Sequence, residues 1–278
     1  MTMDFAKVEG AGNDFVLLDC ARALNLPAGI VRELCDRHFG VGGDGLLVIE
    51  RNPPDAPFLR MFNPDGTEDF SGNGMRCAAA WLFSRGTASG GAVTIVSPRG
   101  RHRAEVNELG SNRFMVEVDL VKPDFAPSAV PAVTSLARIL EHPVEILGKK
   151  WPISVVSVGT AHTAIFTEGP VDESTFFEVS PLLERHAMFP ERTSVLWCVV
   201  ERLDRVIVRI WERGVGETFS CGTGACAVVA IGSALGRTAR RVDVVARGGT
   251  LTAAWDGHGP VRLTGPARIV YTGTYRPR

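Results

Sequence analysis

The chain has 278 residues, of which 45% are hydrophobic and 22% charged, and its formal net charge at pH 7 is −1. These values are ordinary for a globular protein with room for two domains, and they give no reason to expect a nucleic acid or an anionic membrane as partner. We expect neither a membrane span nor a signal peptide, because no apolar run has the required length. Six cysteines without a Cys-x-x-Cys pair indicate reduced thiols rather than disulfides or a metal site.

The first part of the chain is rich in predicted short strands bounded by Gly, Pro or Asn. A helix is predicted over residues 27–38, because Pro27 lies near its start and Gly40 follows its end. A second, alanine-rich helix is predicted from residue 74 to residue 85, with Gly86 as its stop. The predicted strands cover residues 15–19, 46–50, 58–63, 93–96, 101–106 and 113–118.

A linker is predicted over residues 122–133, where three prolines lie among small residues without any period. The same order of elements then returns. Helices are predicted over 173–185 and 224–235, and short strands finish the chain. The other predicted strands cover residues 144–147, 153–158, 163–167, 195–201 and 205–212. We therefore expect two similar halves, residues 1–121 completed by the C-terminal strand 267–278, and residues 122–266.

A near-repeat supports this duplication. The segment EDFSGNGMRCAAA begins at Glu68, and ETFSCGTGACAV begins at Glu217. When the Gly-x-Gly triplets are superposed, Ser71 lies opposite Cys221. A second match, GNDF against GTAH, occurs in the same order at residues 12–15 and 159–162. We infer a pseudo-twofold arrangement in which two glycine turns, residues 71–74 and 221–224, meet at one small-molecule site, because clefts between domains commonly hold such sites.

The first residue of each glycine turn, Ser71 or Cys221, is a candidate acid or base. A helix N-terminus favours a thiolate, so we expect the turn to lower the pKa of Cys221. The backbone N–H groups of the same turn can bind a carboxylate. The alternative for Cys221 is a buried, inert thiol. Ser71 is a far weaker acid and would need an activating partner to act as a base; its alternative role is to cap the helix.

Other polar residues could complete the site. Glu212 could bind an ammonium group or tune a thiol, and Arg213 could clamp a carboxylate; a surface pair is the alternative. His162 could tune a nearby base or be structural. The sequence has no glycine-rich nucleotide loop and no metal-ligand spacing, so we expect no cofactor. Asparagines also lie at turns, where they are common: Asn13, Asn63 and Asn73.

With these residues in place, the chain resembles the diaminopimelate epimerases of the cofactor-independent proline-racemase superfamily. The resemblance runs over nearly the whole chain. It implies an α+β fold of two pseudo-symmetric domains, each a barrel-like mixed sheet around a central helix, with the active site between them. The matching segments are GNDF (12–15), FNPDG (62–66), GNGMRC (72–77), FPER (189–192), ERGVGET (212–218) and CGTGAC (221–226).

The resemblance also implies roles for individual residues. Two cysteines act from opposite faces of the α-carbon in that family; Cys221 matches one, and Ser71 stands where the other belongs. His162 and Glu212 match groups that tune the two bases. Thr160 and Ser194 replace asparagines at the distal end of the substrate. The implied substrate-binding positions are Asn13, Asn63, Gly72, Asn73, Thr160, Ser194, Glu212, Arg213, Gly222 and Thr223.

The leading hypothesis is a cytoplasmic enzyme that interconverts LL- and meso-diaminopimelate in lysine and cell-wall precursor synthesis. A homodimer is the assembly that we expect, although no residue pattern specifies it. Because of Ser71, a one-base isomerase or dehydratase, or a racemase of another amino acid, stays open. A catalytically weak amino-acid-binding protein is a further alternative, and a cysteine-to-serine change introduced by design would leave the same sequence.

Overall fold

The chain forms two compact units, which are described separately below. The computed structural model describes residues 2–51, 56–87 and 90–277. The first unit comprises Met1–Asp119 and Thr264–Arg278, and the second comprises Leu120–Leu263. The predicted halves end at residues 121 and 266 instead, and their outermost residues, Met1 and Arg278, lie outside the described residues. The duplication behind that division stays a prediction.

The first unit is a mixed sheet closed into a ring. Its strands are β1 (Met3–Gly10), β2 (Asn13–Cys20), β3 (Gly45–Glu50), β4 (Phe58–Phe62), β5 (Glu68–Asp69), β6 (Ala92–Ser97), β7 (Gly100–Gly110), β8 (Arg113–Asp119) and, late in the chain, β17 (Arg262–Tyr275). The β2–β3 and β4–β6 pairs are parallel, and the β1–β2, β3–β4, β4–β5, β6–β7 and β7–β8 pairs are antiparallel. Strand β17 closes the ring, because it pairs with both β8 and β1.

The second unit repeats this order of pairings. Its strands are β9 (His142–Ile146), β10 (Lys149–Ser157), β11 (Ala161–Thr167), β12 (Ser194–Arg202), β13 (Arg205–Glu212), β14 (Gly216–Thr218), β15 (Arg241–Ala246) and β16 (Gly249–Ala254). Here β11–β12 and β13–β15 are parallel, while β10–β11, β12–β13, β13–β14 and β15–β16 are antiparallel. The pairings of β10 to β16 thus follow those of β1 to β7.

Each unit encloses one apolar helix, α2 (Gly72–Ser84) in the first and α4 (Gly222–Ala234) in the second. The first eleven residues of each helix are buried, as expected for a helix that packs against strands on all sides. Helix α2 contacts β1 to β4 and β6 to β8, and α4 contacts β10 to β12, β15 and β16. The predicted α+β class, with two similar units that each wrap a mixed sheet around a central helix, is confirmed.

The other two helices connect parallel strands. Helix α1 (Ala28–Cys35) joins β2 to β3, and α3 (Glu173–Glu184) joins β11 to β12. Val31 and Leu34 of α1 pack against Val16 and Leu46, which lie on β2 and β3. Because α2 also contacts these strands, both of their faces are covered, and their sequences are accordingly almost continuously apolar.

Several predicted elements need correction. Strand β1 was not expected; it carries charged residues, and Lys7 is buried beside Asp14. The end of the chain is not made of short strands only, because β17 has 14 residues. The predicted linker contains a 3₁₀ turn at Pro127–Ala129, and Asp124 forms a bridge with Ser157. Among the described residues, no helix is long and apolar enough to cross a membrane.

Candidate active site

Ser71 caps the central helix of the first unit. Its backbone is extended (φ −131°, ψ 125°), and its Oγ accepts a hydrogen bond of 3.1 Å from the backbone N–H of Gly74. A Cβ at position 74 would lie only 2.8 Å from Leu47 Cδ2 on β3, so a side chain on the third residue of this helix would displace that leucine. The glycine turn therefore packs directly on the sheet and fixes the serine hydroxyl at the helix start.

Cys221 occupies the same position at the central helix of the second unit. Its backbone is again extended (φ −133°, ψ 114°), and its Sγ accepts a bond of 3.3 Å from the N–H of Gly224. A Cβ at position 224 would lie 3.1 Å from Cys221 Cβ and 3.2 Å from Leu196 Cδ2 on β12. The two turns thus have the same local construction, with a hydroxyl in one and a thiol in the other.

In the first unit the structure brings Asn13 and Asn73 together. Asn73 Nδ2 donates to Asn13 Oδ1 (3.2 Å), and Asn13 Nδ2 donates to Asp44 Oδ2 (2.8 Å). Asn63 belongs to its own turn, where Nδ2 donates to Thr67 Oγ1 at 3.1 Å. Of the three asparagines singled out in the sequence, two therefore share one hydrogen-bonded chain, and the third stabilises a neighbouring turn.

Arg76 orients these hydrogen-bonded asparagines; it lies in the matching segment at residues 72–77, but no role was predicted for it. Its side chain is completely buried in α2, and it donates to Asn73 Oδ1 at 2.8 Å. Because a guanidinium only donates, it forces the oxygen of the Asn73 amide toward itself and the nitrogen toward Asn13. A charged residue within an alanine-rich helix was the available signal.

In the second unit a cluster of polar side chains surrounds the thiol. Thr223 Oγ1 lies 3.4 Å from Cys221 Sγ and 3.0 Å from His162 Nε2. Thr160 Oγ1 lies 3.0 Å from the same nitrogen and donates to Thr223 Oγ1 at 3.2 Å. The hydroxyls of Thr160 and Thr223 therefore connect the imidazole with the thiol.

The electrostatic setting of the thiol differs from the expectation. Burial raises the pKa of Cys221 well above its usual range, and the Glu212 carboxylate, whose Oε1 lies 4.0 Å from Sγ, raises it further. Hydrogen bonds from Thr223 and Gly224 oppose this only in part. The expected lowering by the helix N-terminus is therefore wrong, because loss of hydration outweighs it.

The imidazole is held in its neutral form. Burial lowers the pKa of His162 from 6.5 to about 3, and the charge of Arg213 acts in the same direction. At neutral pH the ring can therefore exchange hydrogen bonds with Thr160 and Thr223 but carries no charge. Within the described part of the chain, no group of three or more His, Cys, Asp or Glu residues could hold a metal ion.

Glu212 and Arg213 lie where β13 ends in a turn. The N–H of Arg213 donates to Ser194 Oγ at 3.1 Å, and its Nη1 lies 3.5 Å from the carbonyl oxygen of Glu191. Ser194 is therefore engaged with the backbone of this turn. A second support, the buried Glu184, contacts the same turn and was also missed in the sequence, because it lies far from the turn along the chain.

Comparison with known proteins gives one consistent family. The diaminopimelate epimerase family model matches residues 5–125 and 154–270. A diaminopimelate epimerase of Pelotomaculum thermopropionicum is 38% identical over 277 residues, which cover 98% of this chain and 99% of the relative. Two solved structures share the fold. A predicted epimerase from Pseudomonas aeruginosa has a TM-score of 0.72 at 19% identity, covering 99% of this chain and 100% of its own. A probable proline racemase from Agrobacterium radiobacter has a TM-score of 0.70 at 13% identity, covering 99% and 93%.

Proposed function

Because this chain belongs to the diaminopimelate epimerase family, we propose that it is an amino-acid isomerase that interconverts LL- and meso-diaminopimelate without a cofactor. The observation that carries the proposal is the matched capping of the two central helices by Ser71 and Cys221. Each unit thereby offers one proton-carrying group next to a helix N-terminus. The two groups act on opposite faces of one α-carbon.

The substrate α-carboxylate binds to the glycine turns. The first N–H groups of a helix have no acceptor within the helix, and together with the helix dipole they favour an anion. Gly72 and Asn73 supply such groups in the first unit, and Gly222 and Thr223 supply them in the second. When the α-proton leaves, its electron pair spreads into the carboxylate, and donors aimed at these oxygens stabilise the charge that develops.

Cys221 exchanges the α-proton on one face. Burial and Glu212 keep its sulfur protonated in the absence of another charge. A substrate ammonium group close to the thiol favours loss of the thiol proton to water, which leaves the thiolate, because an opposite charge lowers a thiol pKa. Cys221 then takes the α-proton and becomes a thiol, and in the reverse direction the thiol returns it. Substrate binding thus prepares the base.

Ser71 exchanges the proton on the other face. Its hydroxyl donates a proton to the carbanion-like α-carbon and recovers one from water. A hydroxyl titrates much further from neutral pH than a thiol, so this half of the reaction is the slower one. Arg213 binds the distal carboxylate as a two-pronged donor, Glu212 faces the ammonium group, and Asn13, Asn63, Thr160 and Ser194 complete the binding surface.

The chemical difference between the two caps also supports a second candidate, a one-base isomerase or dehydratase. In that case Cys221 alone removes the α-proton, and Ser71 only positions the substrate and caps the helix, the role in which its Oγ is bonded to Gly74. Such an enzyme would exchange the α-proton with retention of configuration.

We extend the proposal to the wider setting of the enzyme. The enzyme supplies meso-diaminopimelate for lysine and cell-wall precursor synthesis, acts in the cytoplasm and assembles as a homodimer. The free thiol state of its six cysteines supports a reducing compartment.

Exchange of the α-proton tests the proposal. Purified protein is incubated with LL-diaminopimelate in D₂O, and α-deuterium and product configuration are followed by NMR and chiral chromatography. We expect deuterium together with the meso isomer. Cys221→Ala should abolish both, whereas Cys226→Ala, a change of the next thiol in the same buried helix, should leave both. Absence of deuterium and of meso product would refute the proposal, and deuterium with retained configuration would favour the one-base enzyme.

A further inference from the structure

Glu184 is a buried carboxylate outside the residues assigned above. It is the last residue of α3, and its side chain is only 3% exposed. Phe176, Val179 and Leu183 of the same helix belong to the apolar core of the second unit. Glutamate is almost never fully buried without partners, because an unpaired charge is costly to dehydrate. The position therefore calls for specific partners.

Both oxygens of this carboxylate are used, and their donors flank the Glu212–Arg213 pair on either side. Oε2 accepts a hydrogen bond of 2.8 Å from Trp211 Nε1, and Oε1 accepts one of 2.9 Å from the backbone N–H of Gly214. Gly214 has a φ of +76°, so the chain turns sharply there. Glu184 thus holds the residue before and the residue after the pair.

The neighbouring loop adds to the same support. The N–H of Thr193 donates to the Glu184 carbonyl at 3.2 Å, which brings Ser194 beside the turn, where its Oγ accepts from Arg213 N–H at 3.1 Å. Arg192 Nη1 lies 3.6 Å from Glu184 Oε1, and its side chain is 50% exposed. The two uncharged donors, at 2.8 Å and 2.9 Å, are the closer partners of the carboxylate.

We infer that Glu184 is a positioning residue, which sets Arg213 at the place where it binds a distal carboxylate and so makes the enzyme selective for dicarboxylic amino acids. This inference rests on the proposed function. The chemical requirement is strict, because only a carboxylate accepts on both oxygens. A carboxamide of the same shape offers one acceptor and one donor, so one of the two N–H groups would face another N–H.

Glu184→Gln is therefore the informative change. Leaving a buried donor unsatisfied is costly, and here the loss falls on the turn that holds Arg213. We expect KM for LL-diaminopimelate to rise about tenfold and kcat to fall by less, since Arg213 contacts a part of the substrate that does not react, whereas Glu212 of the same turn lies 4.0 Å from Cys221 Sγ. Glu173→Gln, the same change at the exposed start of α3, is the matched control and should leave KM unchanged.

Trp211→Phe provides the rescue. It removes the indole N–H, so that in the double variant the single carboxamide oxygen at position 184 can accept from Gly214. We expect the KM of Trp211→Phe/Glu184→Gln to fall back to within about threefold of Trp211→Phe alone, because the conflict of two donors is gone. If Glu184→Gln does not fold alone, a folded double variant with this KM supports the inference, and one whose KM stays tenfold higher overturns it.

A measurement without turnover separates the inference from the proposed function. Hydrogen exchange of the Gly214 N–H and the Trp211 indole N–H, followed by ¹⁵N NMR, should show one of these two protons exchanging at least about tenfold faster in Glu184→Gln than in wild type. If wild type does not act on diaminopimelate, the proposed function fails. The exchange measurement still tests whether Glu184 holds the turn at Arg213. Unchanged exchange and unchanged KM in Glu184→Gln would overturn the inference.

Discussion

The buried imidazole of His162 makes the stability of the second unit depend on pH. Within the described residues, its Nδ1 has no hydrogen-bond partner, so protonation would create an unpaired, buried N–H beside the charge of Arg213. Burial, together with the charge of Arg213, lowers its pKa from 6.5 to about 3. Between these two pH values His162 is protonated in the unfolded chain and neutral in the folded protein. The free energy of unfolding is therefore highest above pH 6.5, and it decreases as the pH falls toward 3.

The size of this effect follows from the two pKa values. At pH 5 an unfolded histidine is almost fully protonated and the folded one is not, so His162 alone lowers the free energy of unfolding by about 2 kcal/mol relative to pH 7.5. His162→Gln keeps a polar side chain of similar reach but cannot titrate. The variant should therefore lose about 2 kcal/mol less than wild type between pH 7.5 and pH 5.

Urea unfolding followed by tryptophan fluorescence is the assay, and four of the five tryptophans lie in the second unit with His162. The difference between the two pH values is compared within each protein, so that any overall effect of the substitution cancels. Between pH 7.5 and 8.5 the two proteins should change alike. An equal loss of stability in wild type and His162→Gln between pH 7.5 and 5 would refute the claim that this imidazole is held neutral by burial.

Three further outcomes are expected. Glu212→Gln removes a carboxylate that raises the pKa of Cys221, so iodoacetamide should label this thiol faster at neutral pH than in wild type. Labelling is followed by mass spectrometry, and a slower or equal rate would contradict the effect of Glu212 on the thiol. Arg76→Lys replaces a planar fork by a point charge and should lower kcat/KM about tenfold through a misplaced Asn73; unchanged kinetics would show that the amide is oriented otherwise. Phe176→Ala should lower the free energy of unfolding by about 3–5 kcal/mol, and a loss below about 1 kcal/mol would place this ring outside the core.

Local patterns were sufficient to predict the parts of the fold that depend on neighbouring residues. The glycine turns and the helices after them were predicted, because the capping residue, the glycines and the small apolar residues are consecutive in sequence. Strand β1 was missed, because its charged residues interrupt the alternation of apolar and polar residues that predicts a strand. Lys7 of this strand is buried because it contacts Asp14 and Gly42, which come later in the chain.

The properties of the site that the sequence could not indicate depend on burial and on contacts made in the folded chain. The helix N-terminus at Cys221 is visible in sequence, but the loss of hydration that raises its pKa is a property of the folded unit. In the sequence Glu184 looks like an ordinary charged residue, and Arg76 is only one position of the matching segment 72–77, because its complete burial is visible only in the structure. Glu184 reaches Gly214 across 30 positions of the chain, a distance over which no spacing rule applies.

The pairing of Ser71 with Cys221 on one α-carbon is the central claim, and the rate of Ser71→Cys tests it most directly. Epimerisation of LL-diaminopimelate by wild type and by this variant is compared under identical conditions, with α-deuterium and product configuration measured together. A thiol titrates near neutral pH and a hydroxyl does not, so the variant should epimerise faster by about 10²–10⁴-fold, the usual contribution of one general acid or base. An unchanged or lower rate, with exchange still dependent on Cys221, would contradict a proton-transfer role for residue 71.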